Sequence, residues 1–192
     1  MDDDVRERIL RTASQLFYRQ GARAVGIDLV IERAGVAKAS LYRHFRTKDD
    51  LIAAFLERED ADFWGHWDEV ARAHAGDAQR ELDAHMRWIG ERVARPNYRG
   101  CPQLNIAAEF SDSNHPARKV AIAHKRELRR RLQGIASRLR VTEPEELATQ
   151  LLLLVNGAFV SSHELEDKDA VTFLTDGARA LVASAKEKSP HV

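Results

Sequence analysis

Apolar residues recur along this chain at steps of three and four, and sustained period-two alternation is absent. The pattern predicts an all-α fold of about nine helices. A first helix over about 4–20 carries Ile9, Ala13, Leu16 and Phe17 on one stripe, with Gly21 placed to end it. Short helices are expected at 28–34 and 37–45, separated by Gly35. Thr47 and Asp50, three apart, form a capping pair that opens a long helix to about residue 74. Asp77 is placed to cap a helix reaching about residue 94, and Pro96, Asn97 and Gly100 mark the loop after it.

A short helix at 102–110 and a basic helix at 115–139 follow. Thr142 and Glu145 read as a second capping box before the most apolar helix, which holds Leu147, Leu151 to Val155, Ala158 and Phe159. The last helix, 169–186, sets Val171, Leu174, Ala178, Leu181 and Ala185 at three- and four-residue steps, a seam for another helix. That seam could pack within one chain. Surplus apolar surface on two adjacent terminal helices favours a homodimer instead, with Leu151, Val155, Phe159, Leu174, Ala178, Leu181 and Ala185 as the dimerisation residues.

Composition changes this picture little: 192 residues, 44% hydrophobic and 31% charged, describe a soluble globular chain with room for two domains. Cys101 is the single cysteine, so no internal disulfide is expected. With no leader and no apolar stretch of spanning length, the expected compartment is the cytoplasm, away from any membrane. Formal net charge is zero, but from Val5 to Asp50 ten Lys/Arg face five Asp/Glu. A basic end on a neutral protein is what phosphate contact by that end alone would require.

The segment IDLVIERAGVAKASLYRHF (27–45) narrows the function. A helix-turn-helix needs a support helix, a tight turn in which Gly accepts positive φ, and a second helix whose outer side enters the major groove. Ile27, Val30, Ala34, Val36, Leu41 and Phe45 supply the buried face, leaving Lys38, Ala39, Ser40, Arg43 and His44 outward. Arg43 could grip a guanine edge with two bonds, and Ala39 could meet a thymine methyl. Lys48, in the first turn of the long helix, shares its place with free backbone N–H groups that favour a phosphate.

At these residues the sequence resembles the tetracycline-repressor (TetR/AcrR) family of transcriptional regulators. The likeness lies in Gly21, the ERAGV run at 32–36, Lys38, the SLYRHF run at 40–45 and the TKDDL run from Thr47, about the first quarter of the chain. It implies a helix-turn-helix domain over 1–47 and a ligand-sensing and dimerisation domain over 48–192. It makes Tyr42, His44 and Lys48 phosphate contacts and the Ala37 to Arg43 face the base reader. The Tyr42 ring has a second reading, as core with only its hydroxyl exposed. Three departures stand out. Val25 and Gly26 replace the usual Thr or Ser cap, leaving a backbone amide at Gly26 as the contact there. Ile31 stands where a small residue is usual, and Asp2, Asp3 and Asp4 replace a basic arm.

The resemblance also implies an effector cavity among the middle helices. Phe63, Trp67, Met86, Ile89 and Phe159 would form its apolar wall, with Cys101, Gln103, Asn105, Glu109 and His124 as polar groups. The alternative is that the aromatics are plain core, and that Cys101 is a buried small residue or a redox thiol. The expected partners are near-palindromic double-stranded operator DNA, a small-molecule effector and a second copy of the chain. Effector binding would tilt the fourth helix and release the operator.

An enzyme is not expected: there is no phosphate-cradling Gly-rich loop, GxSxG, HExxH or paired CxxC. No cofactor is implied. The histidines (His44, His66, His74, His85, His115, His124, His163 and His191) are scattered, and surface or capping roles outweigh a metal site from Glu109, His115 and His124.

Overall fold

A computed structural model describes residues 2–161 and 169–187; His163 and His191 lie outside them. Among the described residues there are nine helices and no strand. They are α1 (Asp2–Gln20), α2 (Ile27–Ala34), α3 (Lys38–His44), α4 (Lys48–Ala73), α5 (Ala78–Val93), α6 (Pro102–Glu109), α7 (Pro116–Arg138), α8 (Pro144–Val160) and α9 (Asp169–Glu187). Each expected helix is present.

Helix ends follow the local chemistry. At the start of α4 the Thr47 N–H donates to Asp50 Oδ2 (3.1 Å) and the Asp50 N–H to Thr47 Oγ1 (3.0 Å), the reciprocal pair read from sequence. Asp77 caps α5 by accepting from the Arg80 N–H at 3.0 Å. Glu143 is the N-cap of α8, without a side-chain cap bond of its own, and Pro144 takes the first turn. Proline fits there because its ring pre-sets φ and that turn leaves its N–H groups unpaired anyway.

The chain forms two compact units. The first gathers 2–62 with 101–124, so α6 and the start of α7 belong with α1–α3 and the first part of α4. This is a wider grouping than the sequence division after residue 47. The reason is apolar packing: Ile106, Ala117 and Ala121 join Ile9, Phe17, Val30, Leu41, Phe45, Leu51 and Phe55 in one core. Phe17 and Phe55 meet edge to face at 6.0 Å.

The second unit gathers 63–100, 125–161 and 169–187. Here α9 packs on α5 and on α8. The approach of α5 to α9 is close at Gly90, where a Cβ would stand 2.6 Å from the Val171 Cα. Glu81, 3% exposed, accepts two bonds from Arg138 (2.7 and 2.8 Å), which keeps its charge paired inside.

The seam residues are mostly spent within the chain. Leu151, Val155, Phe159, Leu174 and Ala178 are buried in the single copy, and Leu181 and Ala185 are partly so. Among the described residues, the large apolar side chains that α8 and α9 leave exposed are Leu153 (65%), Val160 (70%) and Phe173 (60%). Within the single copy the α9 stripe lies on the helix that packs against α5 and α8.

Candidate nucleic-acid interface

Val30, Ala34, Leu41 and Phe45 are buried and Ile27 and Val36 pack on them, so α2 and α3 are fixed by one apolar face. Gly35 closes α2 at φ 62°, ψ 45°, in the left-handed region, as the tight turn needs. The opposite side of α3 therefore faces outward. Lys38, Ala39, Tyr42 and Arg43 are exposed, and Ser40, His44 and Lys48 are half-buried. Tyr42 is 40% exposed as a whole residue. Gly26 is exposed and caps α2 without a side-chain bond, which leaves only backbone polarity at that corner.

Lys38 Nζ pairs with Asp28 at 3.2 Å, both well exposed. Lys48 Nζ donates to the Arg23 carbonyl at 3.4 Å. Burial lowers the Lys48 ammonium below its usual value, against the opposing pull of Asp49 and Glu109.

The expected effector residues fall into separate groups. In the first unit, His124 Nδ1 lies 2.8 Å from Asp60 Oδ1, and Gln103 Nε2 donates to the same oxygen at 2.6 Å. The Cys101 thiol donates to Gln103 Oε1 at 3.2 Å, and Cys101, Gln103 and His124 are all buried. Asn105 is half-buried on α6. Sequence reasoning missed Asp60, because one more acid in the polar stretch ERED gives no signal that it turns inward. The Glu109 carboxylate accepts the N–H groups of Ala22 (3.2 Å) and Arg23 (2.7 Å).

In the second unit Phe63, Trp67, Met86, Ile89 and Phe159 are buried. Phe63 stands 4.9 Å from Trp88 and 6.1 Å from Trp67, and the Trp67 ring stacks on His85. Lys125 Nζ lies 5.4 Å over the Phe159 ring. Sequence reasoning missed His85, which is 0% exposed. Among the described residues no group of three His, Cys, Asp or Glu is placed to hold a metal ion, and no helix is long and apolar enough to cross a membrane.

The outward polar face on α3 invites comparison with known regulators. Residues 9–55 match the family model described as bacterial regulatory proteins, tetR family. A TetR-type regulator of Streptomyces avermitilis has a solved structure that is 30% identical, covers 94% of this chain and 97% of that one, and superposes with a TM-score of 0.80. This chain belongs to the TetR family. SCO4454, a TetR-family transcriptional regulator of Streptomyces coelicolor, is similar over 96% of this chain and 97% of its own, with 27% identity and a TM-score of 0.90. The transcriptional repressor NemR of Escherichia coli is 27% identical over 120 residues, 62% of this chain. That alignment spans 60% of the NemR sequence. The all-α fold and the family resemblance read from the sequence are both borne out.

Proposed function

We propose that this TetR-family chain is a DNA-binding transcriptional repressor whose operator grip is released by a small molecule. The observation that carries the reading is the α3 face, where Lys38, Ala39, Tyr42 and Arg43 stand exposed while Val30, Leu41 and Phe45 anchor the helix from behind. A basic and polar helix face of this kind fits the major groove. Arg43 and Ala39 would read base edges; Tyr42, His44, Lys48 and the Gly26 amide would hold phosphates, and Lys38 and Ser40 complete the face.

A homodimer would set two such helices about 34 Å apart, one turn of DNA, and so select a near-palindromic site. Leu153, Val160 and Phe173 are the apolar side chains open for that pairing. The effector would engage the aromatic group of the second unit, Phe63, Trp67, Met86, Ile89 and Phe159, and the usual scale of such coupling is roughly 5 to 150-fold in operator affinity. The proposed place of action is the cytoplasm; among the described residues no helix is long and apolar enough to cross a membrane.

The test is a gel shift with the full-length protein and the intergenic duplex upstream of its own gene, at two salt concentrations. A retarded band that resists unrelated competitor duplex supports the reading. Equal affinity for every duplex would remove it.

A further inference from the structure

The end of α1 is built around a carboxylate from another helix. Gly21 sits at φ 89°, a conformation that exposes the next two backbone N–H groups on one side of the turn. Both point at Glu109, the last residue of α6: the Ala22 N–H donates to Oε1 at 3.2 Å and the Arg23 N–H to Oε2 at 2.7 Å. A Cβ on Gly21 would stand 3.3 Å from Glu109 Oε1, so the turn has just the room that the carboxylate requires.

The clamp is closed from the other side as well. Arg23 Nη1 donates to the Glu109 carbonyl at 3.1 Å, and its guanidinium lies 5.6 Å over the Phe110 ring. That draws a cation of the basic end back onto α6. The Arg23 carbonyl, whose own N–H is fixed by Glu109, in turn accepts from Lys48 Nζ at 3.4 Å. A chain of polar contacts thus runs from Glu109 through the 21–23 turn to Lys48, all within the first unit.

We infer that Glu109 is a positioning residue for DNA binding: its carboxylate fixes the 21–23 turn, and the turn holds the Lys48 ammonium where a phosphate would take it over. The inference rests on the DNA reading above and adds a route to it.

A charge argument alone predicts the opposite sign. An acid near phosphates repels them, so removing Glu109 would tighten binding if repulsion were its main effect. The positioning role predicts weakening. The experiment uses full-length wild type, Glu109→Ala, Glu109→Gln, Lys48→Ala and the Glu109→Ala/Lys48→Ala double variant. Amide hydrogen exchange at residues 22 and 23 is measured without DNA, and affinity for the upstream duplex is measured across a salt series.

In Glu109→Ala the two amides should lose protection by about tenfold, the scale of a lost bond to a charged acceptor. Glu109→Gln keeps one oxygen for an N–H and should fall between. On DNA, Glu109→Ala should weaken binding about fivefold and lower the salt slope toward that of Lys48→Ala. The double variant should be no weaker than Lys48→Ala within about twofold, the mark of two residues acting through one contact. Unchanged exchange, tighter binding or additive losses would overturn the proposal. Wild-type protein that binds no duplex would overturn the DNA reading itself, a result separate from the exchange measurement.

Discussion

The imidazole of His85 stacks on the indole of Trp67 with ring centroids 3.7 Å apart and planes 17° from parallel. Both side chains are enclosed, and neither ring nitrogen of His85 has a hydrogen-bond partner among the described residues. The nearest acid, Glu81, stands 3.9 Å from Nε2 and is already held by Arg138. Burial pushes the His85 pKa from 6.5 down to about 3, helped by the positive fields of His74, Arg131, His66 and Arg138.

The sign of the pH effect follows. Between about pH 6.5 and 3 the unfolded chain binds a proton at this position and the folded one does not, so stability falls as pH drops through that window. The slope from this one group is at most about 1.4 kcal/mol per pH unit. His85→Phe should flatten the profile, so that wild type loses roughly 1–2 kcal/mol more than the variant between pH 7 and 5. Urea midpoints at each pH measure it; parallel profiles would show that His85 is not the group responsible.

Lys48→Ala and Arg43→Ala should separate grip from choice. Lys48→Ala is expected to weaken binding to all duplexes alike and lower the salt slope by roughly one. Arg43→Ala is expected to cost about 1–3 kcal/mol on the preferred site and much less on unrelated DNA. A salt titration on both duplexes decides; the reverse pattern would exchange the two roles.

Phe173→Glu tests the pairing surface. Phe173 is 60% exposed, so a charge there should leave the helical signal intact while shifting the sedimentation coefficient to that of a single copy. Ala178→Glu, at 0% exposure, should instead unfold the protein. A dimer that persists in Phe173→Glu would place the contact elsewhere.

These two positions also show where sequence reading reached and where it stopped. Helical period finds the stripe through Leu174 and Ala178 but is blind to whether the facing helix is in the same chain, and here it is. Phe173 lies off the stripe and could be found only once the stripe was seen to be filled. The helix-turn-helix was legible because its signals are local: Gly35 in the turn, the Thr47 and Asp50 pair, and apolar residues at fixed steps. The contacts of Glu109 were not legible for the opposite reason. Its partners, Ala22 and Arg23, lie more than eighty positions away and offer backbone N–H groups, which any residue carries.

Gly90→Ala should destabilise the second unit. A methyl at 90 would meet the Val171 backbone, which cannot rotate out of the way, and overpacking of this kind costs about 1–3 kcal/mol. A denaturant midpoint lowered with an unchanged m-value would confirm it. A neutral result would mean that α5 and α9 part easily.

The exposed pairing of Lys38 on α3 with Asp28 on α2 bears on the proposed grip on DNA. To take hold of a phosphate, the ammonium must first exchange one anion for another, and the displaced carboxylate stays close to the duplex. Sequence-indifferent attraction is blunted at that spot, while hydrogen bonds to a matching base step are not. On the proposed reading, that exchange would favour release from mismatched stretches over release from matched ones.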